Sequence, residues 1–273
     1  MDRDEIKCIL TNRQNNDDTF LFHYTSLDAC CSIIESKNCA WGIWRTQTTY
    51  WNFADSLVLF FIGNIETLDI SKIFSKNQEA QNLRNKVVRI LCFCQNFTYE
   101  ELREGKYTQT FADNLLCKGW ARVQMWAQYA DNHKGTCLVF DKAKFQQQFK
   151  RLEKDGVRLK EQKITYTNNF SDFKSKMTPE IRKDISEFYL DEKRLSFLFR
   201  KCEDFHDENE YRFCIIDKTL ESLDEIVSVD IGDSLEAVIL GERVSQAIMI
   251  KPLFGNPIEQ FRIKWNFGKS ELF

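Results

Sequence analysis

Proline and glycine are scarce, three and ten in 273 residues. Few flexible linkers can be built from so little of either, which favours one compact unit. Histidine is rarer still relative to its uses: His23, His133 and His206 are the full complement. No pair of them stands at the i,i+4 spacing of a helical metal site, so a three-histidine centre is disfavoured and no metal is expected. No Gly-rich phosphate loop, His-Glu-x-x-His or Gly-x-Ser-x-Gly occurs. The common kinase, zinc-protease and serine-hydrolase mechanisms therefore lose support. No run approaches the roughly 18 apolar residues of a membrane span. Met1 to Asn16 is polar and charged, without the apolar centre of a signal peptide. These absences lead us to expect a cytoplasmic protein that does not engage membranes.

What is present is ordinary in bulk: 43% hydrophobic, 29% charged and a net charge of −3. A chain of this size can bury a sizeable core. The mild negative charge offers no global basic field for nucleic acid. Aromatics are plentiful, with 23 phenylalanines. Ten cysteines are present, but Cys30-Cys31 and Cys92-x-Cys94 lack the two-residue gap of zinc ribbons. Most lie in apolar runs such as Leu91-Cys92-Phe93-Cys94, where a reduced thiol acts as a small core hydrophobe.

The pattern along the chain alternates early and turns to strands late. Thr19–Tyr24 reads as a strand, and Thr25-x-x-Asp28 has capping-box form ahead of Leu27, Cys30, Cys31 and Ile34 at helical spacing. Ala40–Trp44 returns as a strand, and residues 87–94 form another. Residues 95–119 are a long polar excursion expected to be a mobile flap. Val123–Ala130 reads as a helix leading to Gly135 at a left-handed cap, followed by a strand over 136–140. Lys142–Lys154 is an amphipathic helix stopped by Gly156, and Lys163–Thr167 is a short strand. A long helix is expected from Thr178 to about Cys202, with Ile181, Ile185, Phe188, Leu195, Leu198 and Phe199 on its buried face. Strands then occupy Tyr211–Ile216, Ile226–Ile231, Ala237–Leu240 and Gln260–Trp265. This order predicts an α+β fold: a polar segment over 1–18, then a single domain over 19–273.

Three polar knots are candidates for chemistry. His23-Tyr24-Thr25 ends a strand that feeds a helix, where free amides suit an anion or a ribose phosphate; the plain alternative is a packed histidine and a capping hydroxyl. Glu208-x-Glu210-Tyr211-Arg212 puts two carboxylates and a guanidinium on one side of a strand. That set can position a hydroxyl or stabilise a developing cation, or simply form an ion-pair cluster. Trp126 and Tyr129 share a helix face ahead of His133-Lys134 and can wall a planar ligand or pack in the core. Tyr50-Trp51 is a further aromatic pair beside a loop.

The order Phe22-His23-Tyr24-Thr25-Ser26-Leu27, Met125-Trp126-Ala127-Gln128-Tyr129 through Phe140-Asp141, Phe205 through Arg212, and Val238-Ile239-Leu240-Gly241-Glu242-Arg243 resembles the prokaryotic domain-of-unknown-function family 2971. That family usually carries an Asn-Asp pair after its second strand, where this chain has Asn52-Phe53. A histidine on a first strand, an aromatic on a second and a glutamate at a later strand mouth also resemble the ADP-ribosyltransferase superfamily. That resemblance implies a mixed, mostly antiparallel split sheet flanked by helices, with NAD as substrate in the cleft. His23 and Thr25 would then hold the adenosine-side ribose. Tyr50 would stack on nicotinamide, with Tyr24, Trp126 and Tyr129 as rivals. His133 and Arg212 would join the dinucleotide site. Glu210 would stabilise the oxocarbenium-like transition state, and Glu208 would orient the acceptor, whether protein, nucleic acid or water. The expected function is thus an ADP-ribosyltransferase or NAD glycohydrolase, as a toxin or anti-phage effector with partner proteins of such a system. The alternatives are a nuclease and a non-enzymatic sensor or partner-binding module.

Overall fold

The computed structural model describes residues 1–12, 18–40, 42–43, 87–102, 115–168, 195–217, 219, 227–245, 258–266 and 269–273. Their strands are β1 (Phe20–Thr25), β2 (Asn38–Ala40), β3 (Gly42–Ile43), β4 (Val88–Cys94), β5 (Thr136–Asp141), β6 (Val157–Lys163) and β7 (Thr165–Tyr166). They continue with β8 (Arg200–Lys201), β9 (Glu210–Asp217), β10 (Ser228–Asp230), β11 (Leu235–Leu240), β12 (Glu259–Asn266) and β13 (Lys269–Leu272). The longer helices that accompany them are α1 (Arg3–Thr11), α2 (Leu27–Ser36), α3 (Val123–Tyr129) and α4 (Lys142–Lys150), with a single helical turn at Tyr99–Glu101.

The architecture is mixed α/β, built on a large open sheet that is mostly antiparallel. Its strands run β13-β12-β11-β5-β1-β4-β9-β6, with β3 also paired to β4. Within that order only β11 and β12 lie parallel. Two further strand pairs stand apart, β10 with β2 and β7 with β8.

Side-chain alternation gives the sheet two apolar faces. On one, Leu21, Leu91, Phe93, Leu138, Phe140, Phe213 and Val238 pack beneath α2 and α4. Phe93 is its centre, with ring centroids 5.0 Å from Phe145, 5.5 Å from Phe213 and 5.7 Å from Phe140, all near-perpendicular. Such edge-to-face stacking explains why so much of the core is phenylalanine. On the other face, Phe20, Phe22, Tyr24, Val139 and Ile239 pack beneath α1, α3 and Trp120. Farther along, Val88, Ile90, Cys214 and Ile216 are covered by Ile164, Leu198 and Phe199.

The helices follow from their ends and their spacing. The Asp141 carboxylate accepts the Lys144 amide at 2.9 Å, so β5 runs directly into α4, whose Phe145 and Phe149 are buried. Ser26, not Thr25, caps α2 by accepting the Ala29 amide at 3.2 Å. Thr25 is still paired in β1, opposite Thr136, so its backbone belongs to the sheet. Residues 3–11, polar in composition, form α1 because Asp2 caps it and Ile6 and Leu10, one turn apart, sit in the core. α4 stops at Lys150, short of the expected Lys154, and Gly156 follows with φ +83.

Two further expectations are corrected. The long helix expected to reach about Cys202 is absent at its described end. There, Leu195–Phe199 is a 3₁₀ turn and Arg200–Lys201 pairs in parallel with Thr165–Tyr166. Residues 169–194 lie outside the described residues. Gly135 is not a left-handed cap: Asp131, Asn132 and His133 take positive φ instead, at 46, 50 and 68. A glycine stands at 135 because the chain is crowded there, as a Cβ would overlap the Thr25 carbonyl oxygen and meet Ala130. Gly241 is crowded in the same way against the carbonyls of His133 and Gly135. The 131–135 turn and the 241–244 turn are stitched by Gly241 N–H to Gly135 O at 2.9 Å and Arg243 N–H to His133 O at 3.0 Å. As for the 95–119 flap, its described ends are fixed: Gln95, Asn96, Phe97, Cys117 and Lys118 are buried. Its segment 103–114 lies outside the described residues.

Forcing a methyl group into tightly packed backbone costs roughly 1–3 kcal/mol or more. Gly135→Ala and Gly241→Ala are each expected to lower the unfolding free energy by about 2 kcal/mol in urea denaturation. A loss under about 0.5 kcal/mol, the range of an unremarkable surface substitution, would show that the two turns are not packed this tightly.

Candidate functional site

The sheet nearly divides between β1 and β4. One residue pair, Phe22 with Cys94, joins them, whereas β1 pairs with β5 over six residues and β4 with β9 over seven. Beyond that bridge the His23 side chain spans the opening, its Nδ1 lying 3.0 Å from the Cys92 carbonyl oxygen. On the face carrying Phe22 and Cys94, the apolar cover is interrupted at this junction. Cys92 stands there between Ile90 of one cluster and Cys94 of the other, an exposed residue on an inner strand whose thiol sulfur turns in against the Glu210 carboxylate. Surrounding protein and the Glu210 charge push that thiol well above its usual range, so it is not a ready thiolate nucleophile.

Around Cys92 the chain gathers a charged network. Glu210 opens β9, and its carboxylate receives Arg212 Nε at 2.5 Å and Nη2 at 3.1 Å, with Lys201 Nζ at 3.3 Å. The Cys92 thiol donates to it as well. Lys201 Nζ also reaches Glu208 at 2.5 Å, and the Tyr129 hydroxyl donates to the other Glu208 oxygen at 3.2 Å. Glu208, Glu210 and Arg212 are only 4%, 4% and 5% exposed. Charges buried this far persist only when paired and hydrogen-bonded. The two carboxyls are pushed in opposite directions. Burial would raise Glu210, but Arg212 and Lys201 outweigh it and hold the group well below the carboxylate range. Burial raises Glu208, and the neighbouring Glu210 charge adds to it, against the pull of Lys201 and Tyr129.

The backbone that carries these groups is pinned from several sides. Asn209, between the two glutamates, takes φ +41. Its amide side chain donates to the Asn96 carbonyl at 2.8 Å and the Gln95 carbonyl at 3.3 Å. Arg122, buried just before α3, donates to the carbonyls of Glu208 and Gln95 and lies 4.5 Å over the Phe97 ring. The Tyr166 hydroxyl accepts the Glu210 amide at 2.8 Å.

The candidates read from the sequence separate into groups. Glu208, Glu210, Arg212 and Tyr129 come together here, although Glu208 ends a 3₁₀ turn (Glu203–Glu208) and does not lie on the strand. His23 faces away: it pairs with Leu138 on the Phe93 face, while Glu210 pairs with Cys94 on the opposite one. Its ring lies 5.6 Å from Phe93, and burial lowers its proton affinity. Tyr24 donates its hydroxyl to the Gly119 carbonyl at 2.7 Å within the core. Trp126 is fully buried and donates to the Trp120 carbonyl at 2.8 Å. His133 stacks on Trp126 at 6.5 Å, with Trp265 at its edge. Thr25 ends β1, and Tyr50 lies outside the described residues. Lys201, Tyr166, Cys92 and Arg122 were not singled out by sequence. The basic pair Arg200-Lys201 just ahead of an acidic run was the available signal for the first. Among the described residues no three His, Cys, Asp or Glu side chains cluster as metal ligands. None of the described helices is long and apolar enough to cross a membrane.

A mixed α/β protein with an open sheet and a buried carboxylate pair at its narrowest join is thus defined. Residues 125–213 match the model of a family described as "Protein of unknown function (DUF2971)". That span runs from α3 to β9, contains most of the charged network, and supports the resemblance noted from the sequence. No curated protein and no solved structure shows a significant match to this chain.

A carboxyl held low in the folded state contributes stability that is full above its ordinary value and lost as pH falls through its folded value. For Glu210 that window runs from about 4.5 down to about 2. Glu210→Gln should therefore cost on the order of 3 kcal/mol near neutrality, as expected for breaking a buried pair. The gap to wild type should shrink as pH falls through that window. Denaturant unfolding at neutral and acid pH checks this, and a gap that ignores pH would contradict the pairing.

Proposed function

We propose that this chain consumes NAD, as an ADP-ribosyltransferase or NAD glycohydrolase that breaks the bond between nicotinamide and ribose. The observation that carries this reading is the pair Glu208 and Glu210: two adjacent buried carboxyls, bridged by one ammonium and driven to opposite proton affinities beside the exposed residue Cys92. Carboxyls pushed apart in this way suit one group to stay charged and the other to carry a proton.

Nicotinamide leaves as a neutral molecule, because the ring nitrogen takes the bonding electrons, and positive charge collects on the ribose. A permanently ionised Glu210 stabilises that charge more in the transition state than in the ground state. Water or an acceptor hydroxyl then adds to the ribose carbon, and Glu208 accepts the proton it gives up. Arg212 keeps Glu210 ionised when a ligand excludes water from the cleft. The acceptor is left open between protein, nucleic acid, small molecule and water. Depletion or transfer of this kind fits a toxin or anti-phage effector, and that setting is part of the proposal.

One observation favours a second reading. Arg212, Lys201 and Cys92 already occupy the Glu210 carboxylate, which equally suits a non-enzymatic partner-binding module whose network holds the sheet junction. Nicotinamide release separates the two. Wild type should release nicotinamide from NAD, in the presence of lysate as acceptor source or in water alone. Glu208→Gln and Glu210→Gln should lower the rate by about 10²-fold or more at temperatures where melting curves show them folded. No release together with no calorimetric binding of NAD would leave the partner-binding module.

A further inference from the structure

The short parallel pair β7–β8 does more than extend the fold. Thr165 faces Arg200 and Tyr166 faces Lys201 in its register, and the Thr167 amide donates to the Lys201 carbonyl at 3.0 Å. The clip is anchored to β9 as well, because the Ile164 amide donates to the Glu210 carbonyl at 2.8 Å. From it two side chains reach the carboxylate pair. Tyr166 places its hydroxyl on the Glu210 amide, and Lys201 extends its ammonium between the two carboxylates. The same ammonium lies 4.7 Å from the Phe205 ring centroid, which closes off a further side. One cation therefore touches both members of the pair, whereas Arg212 reaches only Glu210.

We propose that Lys201 is a positioning residue: held by the β7–β8 clip, its ammonium keeps Glu208 and Glu210 side by side, while Arg212, which reaches only Glu210, makes them chemically unequal. Without a shared cation, two adjacent buried carboxylates repel, and one of them must take a proton to stay. Arg212 remains on Glu210, so the burden falls on Glu208. The other groups facing the pair are Tyr129 from α3, Tyr166 from β7, Cys92 and Cys94 from β4, and Arg122 ahead of α3. None of the neutral ones supplies a positive charge, and Arg122 is committed to the Glu208 and Gln95 carbonyls. The catalytic meaning of this inequality rests on the NAD-consuming reading, but the inequality itself does not.

The test follows the side-chain carboxyl carbons of the full-length protein by ¹³C NMR across pH, with Glu208→Gln and Glu210→Gln to assign the two signals. In wild type the Glu208 carboxyl should titrate above the Glu210 carboxyl. In Lys201→Met the Glu208 titration should rise by about one unit or more, a tenfold change in proton affinity. Lys201→Arg should return part of that shift. Nicotinamide release across pH is read in parallel, and its limb should move with the Glu208 titration. Coincident titration of the two carboxyls in wild type would overturn the proposal even if the lysine variants fail to fold. An unmoved Glu208 in folded Lys201→Met would overturn it too. Absent nicotinamide release with the NMR shifts as expected would overturn the NAD reading alone and leave Lys201 its positioning role.

Discussion

The buried contact between Arg212 and Glu210 is the constraint on which the rest of this structure depends. Neither charge can be left alone at 4–5% exposure, so each needs a complete set of partners. Arg212 uses the Glu210 carboxylate and the Leu198 carbonyl at 2.5 Å. Meeting the remaining needs of Glu210 draws in Lys201 from one segment, Cys92 from β4 and Tyr166 from β7. The left-handed Asn209, the Arg122 bonds and the burial of Gln95 and Asn96 hold the backbone that presents the pair. A polar network of this size stabilises in proportion to how fully its members are satisfied, and here the buried Arg122 Nε is the network atom left without a hydrogen-bond partner among the described residues.

Its location follows from the sheet. β1 and β4 share one paired position, and their divergence leaves room for polar groups on one face while phenylalanines close the other. His23 contributes to that arrangement from the closed side, substituting a side-chain bond for the ladder bond that is missing. The face assignment matters for function. It separates His23 from the carboxylates, which lie together with Lys201 and Tyr129 on the other face, where the function we propose would use them. A cationic transition state would find a fixed negative charge there without further reorganisation.

Much of this was legible in the sequence where the signal is local. The runs 87–94, 136–140 and 211–216 appear as β4, β5 and β9 because apolar strands buried on both faces leave an unmistakable composition. Glu208, Glu210 and Arg212 were visible as a knot because they lie within five residues of one another. The non-local parts were not. Lys201 and Tyr166 meet the pair through a two-residue strand pairing that no periodicity announces, and the helical spacing up to Cys202 argued for a different structure there. Gly135 looked like a conformational glycine, but it and Gly241 are required by the nearness of other backbone, which only the packed chain shows. Trp126 could be read as a ligand wall or as core, and Tyr24 as a ring the resemblance could place on a ligand; the polar atoms of both are bonded to carbonyls inside the core. The wording that carries the family resemblance around Trp126, Gly135 and Gly241 thus encodes close packing, while the chemistry we propose is assigned to Glu208, Glu210 and their cations.

The central claim is that a ligand occupies the carboxylate face of the β1–β4 junction. Chemical-shift mapping during an NAD titration of isotope-labelled protein tests it most directly. The account predicts that the largest changes fall on the amides of Cys92–Cys94, Tyr166, Lys201 and Glu208–Glu210, with β12 and β13 unmoved. Changes centred on His133 and Trp265, or no change at NAD concentrations well above the millimolar range, would contradict it.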